Sequence, residues 1–164
     1  DLQTVGYTCE LMKWFKPALT VVNLNDVDGC HSKFTEYLRN LHRADHALGH
    51  IWECIQSIPE MAGNTILIAI PECGRNLEHN SIKDADNQWF AYVHSDLNSK
   101  RVFGVMAGPG VPSNLQVGTE ANPIGLITDG VPTIAEILGG AALKNQVLNS
   151  GYLASDTMSL FDRI

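Results

Sequence analysis

Residues 18–31 read ALTVVNLNDVDGCH, an apolar and β-branched run that gives way to two aspartates and a histidine. The run is short, follows Pro17 and carries Thr20, Val21 and Val22 in succession, a composition that predicts a buried strand over 18–24. Acidic and imidazole side chains just past the end of such a strand stand where open α/β sheets bind their ligands. Asp26, Asp28 and His31 are therefore either metal ligands or the polar side chains of a turn, which is the commoner fate of an Asp-x-Asp loop.

Working outward, residues 5–16 read as a short helix stopped by Pro17. A long helix is expected over 32–57, with Phe34, Leu38, Leu41, Leu48, Ile51 and Ile55 on one face. Thr65–Ile70 is a second buried run, entering Pro71-Glu72-Cys73-Gly74-Arg75-Asn76, and Arg101–Met106 is a third, ending in Ala107-Gly108-Pro109-Gly110. The polar stretch from Arg75 to Gln88 reads as loop. Residues 107–125 are rich in Gly, Pro and Asn and predict irregular chain. A last helix is expected from Val131, capped by Asp129 or Thr128, with Pro132 in its first turn and Gly139 at its end. Strands alternating with helices imply an α/β fold, a largely parallel sheet flanked by helices on both faces. Three strands are few for such a sheet, so 1–164 is expected to be a single domain that forms part of a larger one.

Eighteen acidic residues stand against eleven Lys and Arg, giving a net charge of −7. That balance argues against a nucleic-acid partner, whose phosphates call for a basic surface. No apolar run approaches the roughly 18–20 residues of a membrane span. The chain opens on Asp1-Leu2-Gln3 with no initiating Met and no signal-like segment, so its address is not legible. Cys9, Cys30, Cys54 and Cys73 are widely spaced without a CxxC pair. That spacing excludes a zinc finger and favours free thiols over disulfides.

Chemistry-bearing residues thus gather near three strand ends: Asp26 to His31, Glu72-Cys73, and His94-Ser95-Asp96 ahead of the third strand. Carboxylate oxygen with imidazole nitrogen suits Zn²⁺ or Mn²⁺. The order of these pieces resembles the C-terminal half of the alkaline phosphatase superfamily, which includes phosphopentomutases, nucleotide phosphodiesterases and sulfatases. Asp26 and His31 match its Asp followed four or five residues later by His. Glu72-Cys73-Gly74 stands at its Asp-His-Gly, and His94-Ser95 with Gly108-Pro109-Gly110-Val111 at its His-Ser/Thr and Gly-Pro-Gly. Asp129-Gly130-Val131-Pro132-Thr133-Ile134-Ala135-Glu136-Ile137-Leu138-Gly139 matches its D-x-x-P-T-x-x-x-x-L-G helix.

The resemblance implies metal-dependent hydrolysis of a small-molecule phosphate or sulfate ester. Asp26, His31 and His94 would hold one ion, zinc first, with manganese or calcium as alternatives. Asp28 is the alternative to Asp26. Glu72 and Cys73 would be the counterpart of a second metal site, where Cys for His favours Zn²⁺ over harder ions. Arg75 is a candidate to grip a phosphate or sulfate oxygen through its planar fork, or else a surface ion pair. Family members carry a Ser, Thr or modified Cys nucleophile ahead of these motifs. Thr4 and Thr8 lack the strand that should precede it, so the nucleophile is expected outside this chain, which alone would be inactive. A periplasmic or secreted address goes with the family. The alternative is a non-catalytic binding or scaffold relative whose second metal site has decayed.

Three further features compete. His42, His46 and His50 recur one turn apart on the long helix and read as a solvated face, with adventitious metal binding as the other reading. Asp45 is a surface partner for Arg39 or His42. Trp89, Phe90 and Tyr92 read as packing, or as a substrate-pocket lining.

Overall fold

The first fourteen helical residues, Leu2–Phe15, form α1 and bury Val5, Thr8, Cys9 and Met12 on one arc. The helix stops where Lys16 enters the left-handed region at φ 45° and returns its N–H to the Met12 carbonyl at 3.0 Å. Pro17 cannot extend the ladder beyond that point. This computed structural model describes residues 1–31, 34–78, 83, 87 and 93–164. Trp89, Phe90, Tyr92, Ser32 and most of the stretch between Glu78 and Val93 lie outside the described residues. Residues 1–111 and 112–164 form two units.

In the first unit the core lies between helices. α2, Phe34–Ser57, buries Ala47, Ile51, Cys54 and Ile55 against Val5, Cys9 and Met12 of α1, with Ile58, just ahead of the short α3, Pro59–Ala62, and Met61 within it closing the cluster. All four cysteines are free. Burial, and then the Cys54 thiol beside it, pushes the Cys9 thiol up to about 12. Only the C-terminal half of the apolar face expected on α2 is used. Phe34, Leu38 and Leu41 remain 46%, 48% and 42% exposed.

The strand expected over 18–24 is absent. Val22 and Leu24 pack half-buried on the helical core, while Leu19 and Val21 face solvent. The two-residue alternation that signals a strand is present along 21–24, but the segment lies against helices, and among the described residues no strand pairs with it.

The two remaining strands are short. β1, Leu67–Ala69, pairs antiparallel with β2, Val105–Ala107, in the register Leu67 opposite Ala107, Ile68 opposite Met106 and Ala69 opposite Val105. The expected parallel sheet flanked by helices is therefore corrected to a helical assembly with a two-stranded antiparallel ribbon. Parallel pairing needs a crossover, usually a helix. Among the described residues between β1 and β2, helical structure is confined to one 3-10 turn, Asn98–Lys100. The run at 65–70 is half-buried throughout, whereas Phe103 and Val105 in the run at 101–106 are mostly exposed, so apolar composition marked the strands without fixing how they pair.

In the second unit, the 3-10 turn Ile127–Asp129 leads into α4, Gly130–Leu148. Pro132 sits in its first turn as expected, but Asp129 makes no side-chain cap. Its fully buried carboxylate accepts from the Leu126 N–H at 2.8 Å, the Met158 N–H at 3.1 Å and both Nε and Nη2 of Arg163. Burial alone would raise the Asp129 pKa. The Arg163 hydrogen bond and the two backbone donors outweigh it and hold the carboxyl below its ordinary value. Thr133 ties the same junction together, donating to the Asp129 carbonyl at 2.6 Å and accepting from the Leu160 N–H at 2.8 Å. At Gly139 the first helical stretch ends, as expected. Gly140 takes φ 62°, ψ −160°, a conformation open to glycine alone, and the helix resumes to Leu148.

Candidate metal centre

Two overlapping turns shape the loop after Leu24. The Asp28 N–H donates to the Asn25 carbonyl at 3.1 Å and the Cys30 N–H to the Val27 carbonyl at 3.3 Å. Asn40 on α2 pins the loop from below, its amide donating to the Asp26 carbonyl at 2.7 Å and to the Cys30 sulfur at 3.1 Å. This winding turns Asp28 and His31 to one side, with His31 Nε2 3.6 Å from Asp28 Oδ1. His94 arrives from a separate loop, its ring centroid 5.5 Å from that of His31 at an interplanar angle of 53°.

One ligand atom from each of Asp28, His31 and His94 lies within 4.8 Å of the others. In a tetrahedral zinc site with bonds of about 2.1 Å the ligand atoms stand about 3.4 Å apart, so the cluster closes by up to about 1.4 Å to hold such an ion. The donors, two imidazole nitrogens and a carboxylate oxygen, are a zinc-type set with a fourth position open.

His31 is suited to the task electrostatically. Burial, and then the Arg75 cation and His94, lower its pKa, while Asp28 works the other way. The net effect favours the neutral ring, whose lone pair is free to bind a metal.

Of the residues singled out in the sequence, His31 and His94 come together and Asp28 joins them where Asp26 was the first choice. The Asp26 carboxylate lies 3.2 Å from the Asp1 amino group instead. Glu72 is exposed, and neither it nor Cys73 belongs to the cluster. Cys73 is half-buried, and burial, then the Glu72 and Asp28 charges, raise its thiol pKa. Arg75 is neither a free anion clamp nor a simple surface ion pair. Its side chain is 10% exposed, and Nη2 donates to the carbonyls of Val27 at 2.8 Å and Asp28 at 3.1 Å while standing 3.6 Å from Asp28 Oδ1. Its guanidinium also lies 5.6 Å from the Tyr37 ring centroid.

The second loop is fastened to the same segment. Asn76 Oδ1 accepts from the N–H of Ser95 at 2.8 Å and of Asp96 at 3.0 Å, Nδ2 donates to Ser95 Oγ at 2.9 Å, and the Asn76 N–H donates to the Val93 carbonyl at 2.9 Å. Asp96 accepts the Ser99 N–H at 2.8 Å, so it organises the 3-10 turn and is no ligand. Gly74 donates to the Ser99 carbonyl at 2.7 Å, and a Cβ there would lie 2.9 Å from the Arg101 carbonyl oxygen, which only glycine avoids. Asn76, Asn40 and Tyr37 were not singled out in the sequence, because a lone Asn or Tyr in a polar stretch carries no pattern.

His42, His46 and His50 are all exposed, as expected. Arg39 pairs with Glu36 at 2.7 Å where Asp45 was the expected partner. Among the described residues no helix is long and apolar enough to cross a membrane.

No protein-family model, no curated protein and no solved structure matches the chain.

Proposed function

We propose that Asp28, His31 and His94 hold a divalent ion, zinc in the first place, in a centre that serves hydrolysis of a small-molecule phosphate or sulfate ester. The observation that carries this reading is the gathering of one carboxylate and two imidazoles, from two loops far apart in sequence, within 4.8 Å of one another. Two nitrogen donors favour zinc or manganese over calcium, which prefers oxygen throughout. A bound ion of this kind polarises an ester oxygen and stabilises the charge that develops on it.

The residues supply the rest. His31 is held neutral by burial and by Arg75, so it offers its lone pair near neutral pH. Arg75 keeps Asp28 in place through the carbonyls of Val27 and Asp28 and adds positive charge where an oxyanion would bind. The order of the sequence motifs, which resembles that of the alkaline phosphatase superfamily, supports the ester class. No Ser, Thr or Cys of this chain matches the family's nucleophile. Residues 1–164 are therefore expected to bind metal without turning over aryl phosphate or aryl sulfate.

A second reading, a non-catalytic relative, draws support from the exposure of Glu72 and the position of Cys73 outside the cluster. The test is binding of inorganic phosphate and sulfate to the chain with and without zinc, by calorimetry. Zinc-dependent binding of either anion is expected for an ester-directed site. Zinc uptake without anion binding would favour the non-catalytic relative, and failure to take up zinc would reject the metal centre itself.

A further inference from the structure

Asn76 touches none of the three ligand atoms, yet its side chain makes three hydrogen bonds to the residues that follow His94, and its backbone makes a fourth to the residue that precedes it. Asn76 is 8% exposed, so these bonds form with little competition from water. Among the described residues, His94 itself lies in no helix or strand. The Asn76 amide occupies the place of a strand partner, accepting two successive backbone N–H groups at 2.8 Å and 3.0 Å. The neighbouring Arg75 holds the other loop through the Val27 and Asp28 carbonyls. Its own carbonyl accepts from Asn98 at 3.1 Å, which ties in the turn that follows His94. Three consecutive residues thus fasten both halves of the cluster to the segment that leaves β1.

We propose that Asn76 is a positioning residue, which clamps the His94 loop so that the His94 ring meets His31, with Gly74-Arg75-Asn76 as the junction that assembles the centre. This rests on the metal reading above only for its consequence, tighter binding of the ion; the clamping of one ring against the other holds without metal. A side chain that acts through a ligand in this way changes metal affinity by about 10- to 100-fold when removed.

The full chain is compared as wild type, Asn76→Ala and Asn76→Asp. In the metal-free protein, nuclear magnetic resonance reads amide exchange at Ser95 and Asp96 and the cross-relaxation between the His31 and His94 rings. Zinc affinity is read separately by calorimetry. Asn76→Ala is expected to lose protection at Ser95 and Asp96 and the ring contact, to keep the exchange rates of α2, and to bind zinc about 10- to 100-fold more weakly. Asn76→Asp keeps an acceptor for both N–H groups and is expected to restore protection, ring contact and affinity. A general loss of packing would not be repaired by the carboxylate.

An Asn76→Ala protein that keeps the ring contact overturns the proposal, as does one that binds zinc like a zinc-binding wild type. If the alanine variant does not fold, Asn76→Asp decides. Wild-type protection and ring contact in that variant support the clamp, and their loss in a folded protein overturns it. Loss of the ring contact in Asn76→Ala, with no zinc uptake even by wild type, supports the clamp and rejects the metal reading.

Discussion

The choice between Asp26 and Asp28 is made by two hydrogen bonds of a turn. Spacing alone favours Asp26, five residues before His31, yet the overlapping turns at Asn25–Cys30 bring Asp28 Oδ1 within 3.6 Å of His31 and leave Asp26 beside the Asp1 amino group. Asp28→Asn is therefore expected to weaken zinc binding by at least about 10-fold, since even outer partners of a metal site are worth that much. Asp26→Asn should leave it within about 2-fold; equal losses in a calorimetric titration would contradict this assignment of Asp28. At the other end of the chain, Asp129 makes a pH prediction. Its carboxyl is held below the ordinary value, so the folded state binds fewer protons than the unfolded state as pH falls past about 3.9. The stability it contributes is complete above that pH and is lost as pH drops through the lowered folded value. Asp129→Asn should be less stable than wild type at neutral pH, with the gap in urea midpoint narrowing below about pH 4. A gap that does not narrow there would contradict the Arg163 pairing.

At the scale of elements, the helices and the places of two strands, within 65–70 and at the end of 101–106, were legible, whereas the pairing of those strands and the failure of 18–24 to form one were not. α1, α2 and the start of α4 follow from apolar periodicity, Pro17 and Pro132, all of which act within a few residues. How a strand pairs depends on a partner remote in sequence, and the β-branched run Ala18–Val22 carries strand propensity yet forms no strand and is exposed except at Val22. The site was half legible for the same reason. His31 and His94 stood out as ligand types, whereas the work of Asn76 depends on a loop about twenty residues away. The unevenly buried face of α2 has a direct consequence. Ile55 is 2% exposed and Leu38 48%, so Ile55→Ala should cost about 2–5 kcal/mol in denaturant unfolding and Leu38→Ala about 0.5 kcal/mol or less. Similar costs would mean that Leu38 is covered. The end of α1 gives a prediction of opposite sign. Lys16 holds φ 45°, which costs an L-residue about 1–2 kcal/mol, while its contact with Glu60 is exposed and worth little. Lys16→Gly should stabilise the protein by about 0.5–1 kcal/mol after the entropy of the added glycine is allowed for. A destabilisation would contradict the left-handed cap.

Across the molecule, the −7 net charge and the burial pattern describe a helical core with one antiparallel ribbon, and the ligand types sit on loops that the core holds in place. The metal centre therefore stands or falls on where an ion goes when one is offered. Two groups of histidine compete for it: His31 and His94 beside Asp28, and the exposed His42, His46 and His50 on α2. Zinc stoichiometry after equilibrium dialysis against a limiting free-ion concentration separates them, measured on wild type, His94→Ala and His46→Ala. One tightly held zinc per chain is predicted for wild type and His46→Ala, and none for His94→Ala. Zinc retained by His94→Ala and lost by His46→Ala would contradict the account.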